Sequence, residues 1–251
     1  MATLRLLRDS FEDDPALDTA VSRALMLRVA AGELPETLRI ARPGAFVAFA
    51  KRDTVAPGYD EAVAAARESG FDAVLRLAGG RAAIFHEGTV EVGHARPDPE
   101  PRAHIHERFA ETAARLAAAL RSLGVDARVG EVPGEYCPGR YSVNARDAVK
   151  LAGIGQRVVA GGSHTGVVLV VSGEERIRHV LEPVYEALGL AWRPEATGSV
   201  QTEDATVGWD RVVAALVDEY ARHHELVDAE LDDETLALAR QLAPEHRPLV
   251  R

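Results

Sequence analysis

From Phe109 to Leu123 the apolar residues Phe109, Ala113, Leu116, Leu120 and Leu123 recur at intervals of four, three, four and three, and Gly124 closes the run. Only an α-helix puts such positions on one face, and a glycine just past the last of them is a stop signal. A helix with one apolar face needs a surface to cover it. The run Val-Val-Leu-Val-Val at 167–171 supplies that kind of surface, because β-branched side chains lose rotamer freedom in a helix and pack well on a pleated sheet.

Both kinds of element recur without strict alternation. Asp14-Pro15 opens a helix whose apolar face is Leu17, Val21, Leu25 and Val29, and Gly32 ends it. Short runs at 37–41 and 45–50, split by Pro43-Gly44, are expected to form a pair of strands. A short helix at 60–69 precedes a strand at 73–77 that runs into Gly79-Gly80. The segments 141–144 and 149–152 flank Ala145-Arg146-Asp147 as a hairpin, and helical faces follow at Trp209, Val212, Leu216 and Tyr220 and over 232–242. This order implies an α+β fold with a mixed, largely antiparallel sheet flanked by helices. A main domain over 1–185 and a C-terminal helical extension, 186–251, packed on it are expected.

Lys and Arg number 29 against 39 Asp and Glu, a net charge of −10, which is the wrong sign for general nucleic-acid binding. The single cysteine, Cys137, cannot form an intramolecular disulfide and suits a reducing compartment. The first ten residues lack an apolar stretch of signal-peptide length, and no run approaches about 18 apolar residues. A cytoplasmic protein with no membrane contact is expected. His104 with His106, and the pair His223-His224, fit no zinc spacing, so no metal is expected.

Three segments could carry chemistry. In the first, Arg76, Arg81 and His86 surround the glycine pair Gly79-Gly80 and could hold an anionic or acyl ligand, although a plain turn with solvated arginines reads equally well. In the second, Cys137 stands in a Pro/Gly-bounded loop, and Lys150 downstream could favour its thiolate; a buried inert thiol and a solvent-facing lysine are the plainer readings. The third is Gly161-Gly162-Ser-His164-Thr-Gly166, read as a turn ahead of the valine-rich strand, with His164 either at the surface or facing the site.

In this order the segments resemble the biotin/lipoate protein ligase and octanoyltransferase superfamily, over roughly residues 14–171. The likeness rests on Arg76-Leu-Ala-Gly79-Gly80-Arg81-Ala82, on Lys150-Leu-Ala-Gly153-Ile-Gly-Gln156-Arg157, and on the glycine-histidine turn that follows. It implies the biotin/lipoate protein ligase-like fold and an enzyme that attaches an octanoyl, lipoyl or biotinyl group to one lysine of a small carrier domain. The loop Tyr136-Cys137-Pro138-Gly139 looks like the nucleophile loop of the cysteine branch, in which the acyl group passes through a thioester.

On that resemblance Cys137 is the nucleophile and Lys150 meets the developing oxyanion. Arg76, Gly79, Gly80, Arg81, His86, Gly153, Gln156 and His164 would bind substrate. The partners implied are lipoyl carrier domains, such as glycine cleavage H protein or 2-oxoacid dehydrogenase E2 domains, with acyl carrier protein as a further donor. Arg81, Arg140, Arg146 and Arg157 are expected to include carrier-facing residues, offsetting the repulsion between two acidic proteins. A transferase needs no cofactor. An ATP-dependent lipoate-protein ligase, with ATP and magnesium, is the alternative, and a non-catalytic acyl-carrier-binding protein is the other. Ala78 and the two-glycine turn, where many ligases have three glycines, favour the transferase.

Overall fold

The computed structural model describes residues 1–248. The strands are β1 (Ala2–Leu7), β2 (Thr37–Ala41), β3 (Phe46–Phe49), β4 (Asp72–Leu75), β5 (Ala83–Phe85), β6 (Thr89–Pro97), β7 (Ala127–Val129), β8 (Val143–Ala145), β9 (Val149–Val159), β10 (Gly162–Val170) and β11 (His224–Asp228). The helices are α1 (Pro15–Ala30), α2 (Tyr59–Glu68), α3 (Ile105–Ser122), α4 (Glu174–Ala187), α5 (Val200–Glu203), α6 (Trp209–Ala221) and α7 (Asp233–Leu242). Eight strands form one sheet in the order β11-β1-β2-β6-β10-β9-β8-β7, and β4-β3-β5 form a second. Pairing is parallel at β11-β1, β1-β2 and β3-β4 and antiparallel elsewhere, giving the mixed, largely antiparallel architecture expected.

Alternation along the large sheet assigns its two faces. Val90, Val92, Val167 and Leu169 point to a core closed by α3, through Ala113, Leu116 and Leu120, and by α6, through Val212, Leu216 and Tyr220. The opposite face packs against α1, whose Asp14 cap accepts the Leu17 N–H at 3.1 Å. That face is polar where it meets α1: Arg39 is 1% exposed and ion-paired to Asp18. The small sheet builds a second core with α2 and α4, and Tyr136 and Tyr185 fill it.

The sequence pattern misplaced one connection and one turn: residues 162–166, read as a turn ahead of the valine-rich strand, are the first half of β10, paired on both sides. The two runs expected to pair, now β2 and β3, lie in different sheets, because Pro43-Gly44 carries the chain between layers. Residue 185, where the main domain was expected to end, lies inside α4. Beyond it, α6 shares the large core and β11 extends the large sheet alongside β1. Among the described residues no helix is long and apolar enough to cross a membrane.

Candidate active site

Three neighbouring strands of the large sheet align glycines side by side: Gly155 on β9 faces Gly166 on β10, which faces Gly93 on β6. A cavity of about 430 Å³ opens over Gly155 and Gly166, while the His164 ring covers Gly93. Phe46 and Phe85 of the small sheet, stacked with centroids 4.7 Å apart, form an apolar wall. Phe109 and Tyr141, stacked at 5.3 Å, form another. Phe109 thus leaves the apolar stripe of its helix to line the cavity, although the heptad-like spacing alone assigned it to the core.

The turn after β4 and the loop before β8 meet at one edge of this cavity. Cys137 is half-buried, with φ at +42°, a left-handed conformation that an L-residue holds only when its surroundings fix it. They do so through several bonds. The Cys137 N–H donates to the Tyr185 hydroxyl at 2.9 Å, which in turn donates to the Ala82 carbonyl at 3.0 Å, tying the cysteine loop to the segment after the glycine turn. The Arg81 N–H donates to Cys137 Sγ at 3.2 Å, and Arg76 Nη2 approaches Sγ at 3.9 Å while its Nε is held by the Ala78 carbonyl.

Lys150 is 1% exposed, and its ammonium donates to Glu135 Oε1 at 3.1 Å, the Tyr136 carbonyl at 3.0 Å and the Cys137 carbonyl at 2.8 Å. Its three hydrogens are therefore committed to the cysteine loop. Glu135, to which the sequence reading gave no role, is the hub of that loop: it also accepts from the Gly139 N–H at 3.0 Å, the Ser142 hydroxyl at 2.6 Å and the Val132 N–H at 3.0 Å. No residue spacing signals such a hub, and the neighbouring Glu131 makes the acid itself an unspecific hint.

Burial pushes the Cys137 thiol up, but the Arg76 guanidinium, the Lys150 ammonium and the Arg81 N–H together outweigh it, and the thiol lies below its ordinary value. Alkylation of Cys137 by iodoacetamide is therefore expected to show a pH midpoint below that of a free cysteine, and Arg76→Ala is expected to move it upward. A midpoint above the free value in the unaltered protein would contradict this electrostatic account.

Of the other expected site residues, Arg76, Gly79, Gly80, Gly153, Gln156 and His164 line the cavity. Gln156 also braces the helix above, accepting from Arg108 at 3.0 Å and donating to the Ile105 carbonyl at 2.9 Å. Arg81 contributes its backbone, while its side chain pairs with buried Asp53 at 3.2 Å. His86 is not brought to the cavity. Its neighbour Phe85 faces the cavity, and the His86 ring turns the other way, accepts the Gly88 N–H at 3.0 Å and packs on Gly173. Burial pushes it down to about 4, so it is neutral near pH 7. Of the four arginines expected to include carrier-facing residues, Arg140, Arg146 and Arg157 are exposed, Arg140 lining the cavity and Arg146 pairing with Glu203, and Arg81 is partly buried against Asp53. Among the described residues no three His, Cys, Asp or Glu side chains converge to hold a metal ion.

Gly80 permits the close approach of the two loops. Its φ is +112°, and a Cβ there would lie 2.8 Å from Cys137 Sγ and against the Arg76 guanidinium. Gly80→Ala is expected to displace both groups, lowering Cys137 alkylation at neutral pH by at least roughly tenfold with the far-ultraviolet circular dichroism unchanged. An unaltered alkylation rate would show that the packing around Sγ is loose.

The lipoyl protein ligase A/B catalytic domain family matches residues 14–221 of this chain. An octanoyl-GcvH:protein N-octanoyltransferase of Geobacillus kaustophilus is 32% identical over 68% of this chain and 60% of its own length. A lipoyl-GcvH:protein N-lipoyltransferase of Listeria monocytogenes is 29% identical over 75% of this chain and 69% of its own. The chain thus spans roughly 60–70% of these curated relatives. Among solved structures, a lipoate-protein ligase A bound with ATP superposes with a TM-score of 0.80 at 18% identity, covering 98% of this chain and 95% of the other, a likeness of fold.

Proposed function

The chain belongs to the lipoyl protein ligase A/B catalytic domain family, and from that premise we propose that it moves an octanoyl or lipoyl group between lipoyl carrier domains through a thioester on Cys137. The observation that carries this reading is the placement of Sγ at the edge of an apolar cavity, against the Arg81 N–H and the Arg76 guanidinium. The two curated relatives described above are named for acyl transfer from an acylated GcvH.

The Cys137 thiolate attacks the acyl carbonyl carbon of the donor's amide. The carbonyl oxygen takes the negative charge, and Arg76, with Nη2 already directed at the sulfur, is the cation beside it. One proton from solvent reaches the amide nitrogen, collapse expels the donor lysine as a neutral amine, and the thioester remains. The acceptor lysine attacks as a free amine and returns one proton to solvent as the new amide forms and the thiolate is regenerated. One amide is broken and one is made, so no nucleotide is needed to drive the exchange. Lys150 acts through its charge, favouring thiolate, and as the clamp on the two carbonyls around Cys137.

The carrier class is glycine cleavage H protein or an E2 lipoyl domain, docking near the exposed Arg140 at the cavity mouth. Incubating the protein with an octanoylated H-protein domain and an unmodified E2 domain, without ATP, tests the reading. Acyl transfer to the E2 domain is the expected result. Modification that appears only with free acid plus ATP and magnesium would replace it with the ligase, and stable carrier binding with no transfer under either condition would replace it with a binding protein.

A further inference from the structure

The glycine turn and the cysteine loop are linked at the sulfur, and linked again by a side chain that touches neither the sulfur nor the cavity. At the sulfur, the Arg81 N–H and the Arg76 guanidinium reach Sγ itself. The second link is Tyr185 of α4, whose hydroxyl accepts the Cys137 N–H at 2.9 Å and donates to the Ala82 carbonyl at 3.0 Å. Tyr185 is 2% exposed and stands outside the cavity lining.

Residues 81 and 82 are anchored twice. The Arg81 guanidinium pairs with the buried Asp53, whose carboxylate also accepts the Ala50 N–H at 2.9 Å. The Ala82 carbonyl is held by Tyr185. Between the two anchors lies the N–H that donates to Sγ, so Asp53 and Tyr185 together set where that donor stands. Tyr185 also grips the backbone of Cys137, the residue whose φ of +42° persists only while its surroundings hold it.

Burial, and then the charge of the Cys137 thiolate, hold the Tyr185 phenol well above its ordinary value, so it keeps its proton and bridges as a neutral hydroxyl. It is therefore no base for the reaction. The charges that face the sulfur are Arg76, from the turn after β4, and Lys150, from β9, with Glu135 bonded to Lys150. The sulfur itself is not a constant anchor. Once acylated it carries no charge, and the bonds from Arg81 and Arg76 lose their charge assistance. The Tyr185 bridge joins two backbone groups and does not change with the state of the sulfur.

Resting on the transferase reading, we infer that Tyr185 is a positioning residue, whose hydroxyl keeps the Arg81 N–H in register with Cys137 in both the thiolate and the thioester states. Tyr185→Phe keeps the ring, which packs on Trp192 at a centroid distance of 5.6 Å, and removes both bonds. Alkylation of Cys137 by iodoacetamide in this variant is expected to show a pH midpoint about one pH unit above that of the parent, a tenfold loss of thiolate at neutral pH. Its kcat for transfer between carrier domains is expected to fall about tenfold with KM unchanged. Trp192→Leu is the packing control: it removes the neighbouring ring, leaves the hydroxyl, and is expected to lower the melting temperature with the alkylation midpoint unmoved. An unmoved midpoint in Tyr185→Phe, an equal rise in Trp192→Leu, or transfer by Tyr185→Phe at the parent's kcat would overturn the inference. A midpoint raised only in Tyr185→Phe, with no transfer by the parent under any condition, would support the positioning role and remove the transferase.

Discussion

Replacing Cys137 with serine is expected to lower ATP-independent transfer at least roughly a thousandfold, because a hydroxyl ionises far less readily than a thiol and the Glu135 carboxylate of the loop is already committed to Lys150, Ser142 and two backbone N–H groups. The charges that lower the thiol, Arg76 and Lys150, would still surround a neutral oxygen. Fold and carrier affinity are expected to persist, since Sγ accepts hydrogen bonds from the glycine turn while the loop itself is held by backbone contacts to Tyr185, Lys150 and Glu135. Steady-state transfer, a carrier-binding isotherm and a melting curve, measured on the same variant, separate these outcomes. Retained transfer would mean that the thiol is a bystander.

Glu135→Ala is the second substitution with a large expected effect, and it acts on stability. Glu135 and Lys150 have side chains 0% and 1% exposed and stand 3.1 Å apart. Removing one partner leaves a buried ammonium, together with three orphaned loop donors, and such losses are about 3–5 kcal/mol. For a chain of this size that lowers the melting temperature by roughly 10 °C. Glu135→Gln keeps part of the hydrogen bonding and should fall between. The double variant Glu135→Leu with Lys150→Met removes both charges, so it is expected to recover much of the lost stability but not the transfer activity, because Cys137 loses its ammonium neighbour. Equal stability of Glu135→Ala and the parent would show that the pair does not hold the loop.

These predictions depend on features of unequal visibility in the sequence. The helix with Leu116 and Leu120 and the hairpin around Ala145-Arg146-Asp147 were legible because period and turn chemistry are local: Arg146 and Asp147 adopt φ of +55° and +57°, as a tight turn requires. The separation of β2 from β3 was not, since pairing depends on which layer buries a strand and both runs are equally apolar. At the site, the glycine pair, the cysteine loop and the lysine segment were visible as motifs. Their mutual contacts were not: nothing in the sequence shows that the Lys150 ammonium, beside the cavity, is held by two carbonyls of the cysteine loop and Glu135. His86 was selected by its position near the glycine turn, but strand alternation sends it to the opposite side from Phe85. Ser22 and Thr19 stand on α1, far from any motif, and only the packing of that helix on the sheet brings them to the cavity.

The most direct measurement is the intact mass of the protein after brief mixing with an octanoylated or lipoylated carrier domain, without ATP and without acceptor. One added acyl group, removed by hydroxylamine, mapped to Cys137 and discharged when the acceptor domain is supplied, is the result the account predicts. An acyl group that reaches the acceptor while Cys137 never carries it would contradict the account.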